Sequence, residues 1–371
     1  MSQFRPVELS ARDARRLAVT GQLLTGPRPA DLLAAASGLG AVQVDHTAYV
    51  APNAELVLWS RLGSRTSRVE VQDAVESRRL VEIRSFLRPA PDVALFTAEM
   101  AAWPGEDPPG HRVGEQRWVD INRHARDQIL EQLRSDGPLP ARELSADFAV
   151  DWRSSGWNDA KNVPMMLERL EERGQVAVSS REGRERVWDL AERIYPDDPP
   201  VPLAQALHRR ALRRLRALGI ARVKGPACPA EPLDAGDAGE PALVEGVRGE
   251  WRVDPALLHT PFSGRTALLS PLDRLVFDRR RMTDLFAFDY ALEMYKPAGQ
   301  RRWGYFALPV LHLDRLVGKV DAQADRERGV LRVDAVHEDG PWSGSLREAV
   351  EGELRSLARF LDLDLAFDGR S

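Results

Sequence analysis

The chain has 371 residues, 43% of them hydrophobic, which is too long for one small core and suits two to four globular modules. A net charge of −4 and a pI near 6.1 exclude a uniformly basic polyanion binder, and the lone Cys228 excludes an internal disulfide and weighs against a zinc site. No apolar run reaches membrane-spanning length, and the opening "MSQFRPVELSARDARRL" lacks the apolar stretch of a secretory signal, so a soluble cytoplasmic protein that needs no metal or cofactor is expected.

Residues 8 to 35 carry leucine and alanine at helical spacing, broken by Gly26, Pro27 and Pro29. They predict two short helices, the second within "PADLLAAASGLG" and stopped by glycine. The apolar "AVQVD" that follows predicts a strand. "VEVQDAVESRRLVEI" is helix-like again, while "AAWPGEDPPGHRVG" (101 to 114) has the proline and glycine density of a connection.

The next segment has the clearest pattern. "WVDINRHARDQILEQLRSDG" predicts a helix with Ile121, Ile129, Leu130 and Leu133 apolar, and "LPARELSADF" a second, short one. "GWNDAKNVPMMLERLEERGQV" predicts a third, capped by Asn158 or Asp159 and stopped at Gly174. "QVAVSSREGRERVWDL" alternates apolar and polar residues on both sides of "REGR" and predicts a hairpin. Three helices and a two-stranded wing is the order of a winged helix-turn-helix; a generic helical module with a hairpin is the alternative. Winged helices also serve as structural or protein-binding modules, so contact with nucleic acid does not follow from the pattern.

A third unit opens at "PLAQALHRRALRRLRALGIARV", after "YPDDPPVP", with "EWRVDP" as its wing. The Gly-, Ala-, Pro- and acid-rich stretch 225 to 242 reads as a mobile loop. Its "DAGDAG" lacks the strand and helix that a phosphate-binding loop needs and reads as linker. From residue 264 the pattern changes to short strands with turns, as in an antiparallel barrel, and "SLREAVEGELRSLARFLDL" closes the chain as a helix. Positive charge is concentrated in "HRRALRRLRALGIARVK" (208 to 224), which has no acid, so a polyanion remains open as a partner despite the negative total.

Within "LGAVQVDHTAYVAPNAELVLWSRLG", Gln43 and Asp45 stand two apart. On a strand they project from one face. Aspartate there commonly bonds its own backbone two residues on, which makes a turn or cap. The other reading is a small reaction centre.

Four ordered segments, "VQVD…VLWSRLG", "GQVAVSSREGRERVWDLAERIYP", "LLSPLDRLVFDRRRMTDLFAFDY" and "YFALPVLHLDRLVGKVDAQADR", resemble the AlkZ/YcaQ winged-helix DNA glycosylases over nearly the whole chain. The resemblance implies an α+β protein. Tandem winged helix-turn-helix units would form a C-shaped scaffold around duplex DNA, with a C-terminal antiparallel β-barrel-like domain. The corresponding divisions are 1–115 with the QVD motif, 116–197, 198–262 and 263–371. It implies excision of bulky cationic N7-alkylguanines, crosslink unhooking in some members, and self-resistance to alkylating antibiotics in others. The family motif is Gln or His, an apolar residue, then Asp or Gln, and Gln43-Val44-Asp45 fits it. Where many members carry a basic, histidine-rich run after the motif, this chain has Pro52-Asn53-Ala54-Glu55.

Alkylation of N7 leaves the guanine cationic and already a good leaving group, so no strong general acid is required. A carboxylate that stabilises the sugar cation and deprotonates a water is enough, which assigns Asp45. A neighbouring amide that orients the water or sugar assigns Gln43. For double-stranded DNA containing alkylated purines, the expected contacts are His46, Arg61, the helix-start residues Asn158 and Lys161, and the wing residues Arg181, Arg184 and Arg186. Arg61 could instead form an ion pair, and the wing could be a solvated charged hairpin. A monomeric, monofunctional glycosylase is expected; the alternative function is a non-catalytic winged-helix DNA-binding protein or regulator.

Overall fold

Asp31 and Gly40 delimit the second helix by opposite means. The Asp31 carboxylate accepts from Ala34 N–H at 2.8 Å to start Leu32–Leu39, and Gly40, at φ 67°, ends it in a left-handed turn. Ser10 caps the preceding helix Ala11–Gly21 in the same way, on Asp13 N–H at 3.1 Å. The computed structural model describes residues 5–153, 159, 161–225, 228 and 231–368. The chain divides into two compact units, 1–72 with 210–371, and 73–209. The four-part division expected from the sequence is finer than this.

In the first unit, the strand Val7–Leu9 pairs in parallel with Glu240–Val244. That strand pairs antiparallel with Val247–Val253, which in turn pairs with Ile220–Arg222. Distant parts of the chain thus share one sheet. From residue 231 onward, the stretch read as a mobile loop is packed: Ala235 and Ala238 are buried, and Arg214 is ion-paired with Glu231 at 2.8 Å. Alanines at helix-free positions carry no sequence signal of burial, which is why the composition suggested otherwise.

A five-stranded half-barrel sheet follows, in the order Thr266–Leu268, Leu308–His312, Arg315–Asp325, Val330–Glu338, Asp364–Phe367. All neighbours are antiparallel except the last pair. Val320, Ala322, Leu331 and Val333 face Leu354, Leu357 and Phe360 of helix Gly344–Leu361, and Trp59 joins this core with its Nε1 donating to Ser356 Oγ at 3.3 Å. Burying side chains of this size contributes about 1.5–3 kcal/mol each.

In the second unit, the expected first helix is two, Gly110–Ile121 and Arg123–Asp136. Asn122 breaks it, since its side chain donates to Trp118 and Val150 carbonyls (both 3.0 Å) and accepts from Val150 N–H at 3.1 Å. The expected short second helix is only a 3-10 turn, Ala141–Glu143, after the strand Leu139–Pro140. The third runs Asn162–Glu172, starting after Lys161 without a side-chain cap. The hairpin Val176–Glu182 and Glu185–Leu190 forms where expected, turning at Gly183 (φ 61°). "VEVQDAVESRRLVEI" is helix only over Arg68–Glu76; it then turns and enters the strand Leu80–Ile83, paired with Phe86–Pro89. No helix among the described residues is long and apolar enough to cross a membrane.

Candidate active site

Gln43 ends the short strand Val42–Gln43, and the chain then runs as a loop until helix Asn53–Leu62 begins. Asn53 closes that loop. Its backbone N–H donates to the Asp45 carbonyl at 2.9 Å, and its Nδ2 donates to the Gln43 carbonyl at 2.7 Å. Asp45 Oδ1 accepts from Thr47 N–H at 2.9 Å, the turn a structural aspartate makes. Its second oxygen takes no hydrogen bond from the described residues, nor does the Gln43 side-chain amide make one; both side chains are half-buried. One carboxylate therefore serves two purposes: one oxygen holds the loop, and the other is open to water or a ligand.

Tyr49 pins the loop a second time. Its carbonyl accepts from Ala324 N–H (2.9 Å), its hydroxyl donates to Gln323 Oε1 (3.2 Å), and its ring centroid lies 4.7 Å from that of Tyr305. Gln323 Oε1 also accepts from Arg332 at 3.0 Å, and Arg332 pairs with Asp334 at 2.5 Å. Asp334 is the residue skipped between the pairs Asp321–Ala335 and Ala322–Val333, a bulge of the kind that re-aims a side chain.

Asp321 lies on the same strand face as Gln323, its Oδ1 buried without a hydrogen-bond partner. Gly304, at φ 119°, leaves no room for a side chain against that carboxyl. Burial, then the Asp334 carboxylate, pushes the Asp321 carboxyl up to about 6, with Arg301 and Arg332 opposing. Burial, then Asp321 and Asp334, also raises the Tyr49 hydroxyl, which keeps it a neutral donor.

A raised acid pKa means the native state holds the proton more tightly than the unfolded chain. Its stabilising effect is complete below the ordinary aspartate range and is lost as pH rises through about 6. Asp321→Asn is therefore expected to gain stability relative to wild type as pH goes from 5 to 8. After allowance for solvent screening at this half-buried group, the shift in Tm is on the order of 1–3 °C. Parallel thermal melts of the two proteins at several pH values check it; a constant difference contradicts it.

The other residues expected at the site separate into distinct environments. His46 is half-buried beside the motif. Arg61 is a correction: it is 0% exposed, ion-paired with Asp273, with Nε donating to the Gln22 carbonyl at 3.0 Å. A guanidinium in that position has no path to a phosphate.

Arg181 and Arg186, in the second unit, are engaged by Glu82, with Arg181 Nη2 at 2.7 and 2.8 Å from its two oxygens and Arg186 Nε at 3.4 Å. Neighbouring carboxylate thus already occupies what the sequence suggested for phosphate. Arg184, at the hairpin turn, and Lys161, before helix Asn162–Glu172, are exposed. Asn158 lies outside the described residues. Asn53, Tyr49 and the Asp321–Gln323–Arg332–Asp334 group were not legible beforehand; the one local signal was an asparagine at a helix start, where a side-chain bond to the backbone is common.

The chain matches the family model described as DNA glycosylase AlkZ-like over residues 36–360. Its fold is similar to that of Streptomyces sahachiroi DNA glycosylase AlkZ, with a TM-score of 0.62 at 19% identity, covering 97% of this chain and 100% of that one. With a model match over most of its length, the chain belongs to the AlkZ-like DNA glycosylase family.

Proposed function

We propose that this DNA glycosylase is monofunctional, hydrolysing the N-glycosidic bond of bulky cationic N7-alkylguanines in double-stranded DNA. We further infer that it works as a monomer on a tandem winged-helix scaffold, in DNA repair or self-resistance to an alkylating antibiotic. Crosslinks built from the same N7-alkylguanine linkage fall within this chemistry. The observation that carries the reading is the pair Gln43 and Asp45, on a loop pinned at Asn53 and Tyr49, with the amide and one carboxylate oxygen still unspent.

The cationic base leaves with the bonding electrons, so the developing charge sits on the sugar. Asp45 opposes that charge and takes the proton of the attacking water; the Gln43 amide, both donor and acceptor, orients that water. One carboxylate suffices because the leaving group needs no protonation, unlike the sugar acetals for which glycosidases use two. Among the contacts expected from the sequence, Lys161 and Arg184 are exposed cations suited to phosphate, with His46 beside the motif.

A lyase would need an amine nucleophile. The only lysine of the strand that anchors Tyr49, Lys319, supports its absence: it is 1% exposed, bound to Asp339 at 2.6 Å and covered by the Phe288 ring at 4.1 Å. The expected result is release of N7-methylguanine from a duplex, with strand breaks only after heat or alkali and no covalent adduct trapped by borohydride. Intact strands after alkali contradict base removal; a trapped adduct contradicts the monofunctional assignment.

A further inference from the structure

We propose that Asn53 is a positioning residue for this reaction, which sets the aim of Gln43 and Asp45 by binding the backbone carbonyls of both. The inference rests on the assignment of those two residues above. Beyond the end of the regular strand at Gln43, the carbonyls on both sides of Val44 are held by one residue, with the Asn53 N–H on Asp45 and its Nδ2 on Gln43. Fixing both carbonyls fixes the backbone from which the Gln43 and Asp45 side chains project, and with it the placement that the chemistry requires.

Two features separate this from ordinary helix capping. The cap residue of helix Asn53–Leu62 is Pro52, and no side chain caps it; the Asn53 amide instead reaches ten residues back along the chain. Because Nδ2 faces a carbonyl, the amide orientation is fixed by chemistry. That leaves Oδ1 buried without a hydrogen-bond partner on a residue 1% exposed. An unsatisfied buried acceptor costs stability, and packing alone would be better served by an apolar residue. Local rules broken in this way are expected where function compensates.

The test uses Asn53→Ala and Asn53→Asp in the full chain. The readouts are single-turnover release of N7-methylguanine, affinity for the same duplex, and Tm. Asn53→Ala is expected to stay folded, with a modestly lower Tm from the lost bond to the Gln43 carbonyl, and to keep wild-type affinity, while release slows about ten- to a hundredfold, the scale for misplaced catalytic groups. Asn53→Asp presents an acceptor to the Gln43 carbonyl when ionised and a donor when protonated. Relative to the wild-type pH profile, its rate is expected to be low at pH 8 and to recover on acidification, with no such recovery in Asn53→Ala.

Release by Asn53→Ala within about twofold of wild type overturns the proposal. Should that variant not fold, a wild-type pH profile in Asn53→Asp overturns it equally. Asp45→Asn serves as the reference for the underlying assignment. If it is inactive while Asn53→Ala is normal, only the positioning role falls; if it is fully active, the catalytic assignment falls and the positioning role with it.

Discussion

Asp45→Asn is expected to lower single-turnover excision of N7-methylguanine by roughly two or more orders of magnitude, the usual scale for losing a general base or an electrostatic stabiliser. The substitution is unusually clean at this position. The carboxylate oxygen that accepts from Thr47 N–H at 2.9 Å can be replaced by the amide oxygen, and the bonds from Asn53 go to backbone carbonyls that the change does not touch. The loop should therefore keep its shape, and affinity for lesion-containing duplex should change little. What disappears is one negative charge and one base. Gln43→Ala should slow excision by less, because water can partly replace an orienting amide. Lesions whose base is already cationic, and so departs as a neutral molecule, should suffer less than neutral ones, whose bond has not been weakened in advance. Wild-type release by folded Asp45→Asn would return the pair to a purely structural role and leave the catalytic site unassigned.

The largest expected effect on stability comes from Arg61. Arg61 and Asp273 are both fully buried and paired, with Arg61 Nη2 to Asp273 Oδ1 at 3.1 Å and a second Arg61 contact to Gln22 Oε1 at 3.2 Å. Removing one partner leaves a bare charge in a low-dielectric interior, at a cost of about 3–5 kcal/mol. For a unit of this size, Arg61→Met should lower Tm by on the order of 10 °C. Replacing both, as Arg61→Met with Asp273→Leu, should recover much of that loss, because the uncompensated charge is gone. Duplex affinity, measured below the lowered transition, should match wild type. A variant with unchanged Tm and lost affinity would instead make Arg61 a phosphate contact.

Local rules carried a definite part of this protein. Stop signals at Gly40 and Gly174 act within a few residues of chain, so the helices Leu32–Leu39 and Asn162–Glu172 were legible from apolar spacing and the glycines that end them, whereas the Asp31 cap and the start after Lys161 were not. Period-two alternation likewise placed the hairpin Val176–Leu190 and the half-barrel strands from Leu308 to Glu338. The motif Gln43-Val44-Asp45 was also legible, as a turn or cap from the residues alone and as a reaction centre through the family resemblance.

Tertiary structure decided what each polar group is spent on. Arg61 and Trp59 lie on one short helix, and nothing local states that Asp273, 212 residues away, neutralises the first. Arg181 and Arg186 look like free wing cations until Glu82, 99 residues from Arg181, is seen to hold both. Asn122 looked like one more helical residue until Val150 was found to complete its bonds. Asn53 and Tyr49 gained their roles through the carbonyl of Gln43 and the amide of Gln323. Helix and strand propensities are set by neighbours in sequence, whereas the partner of a buried charge or amide is set by whichever distant segment the fold brings within about 3 Å.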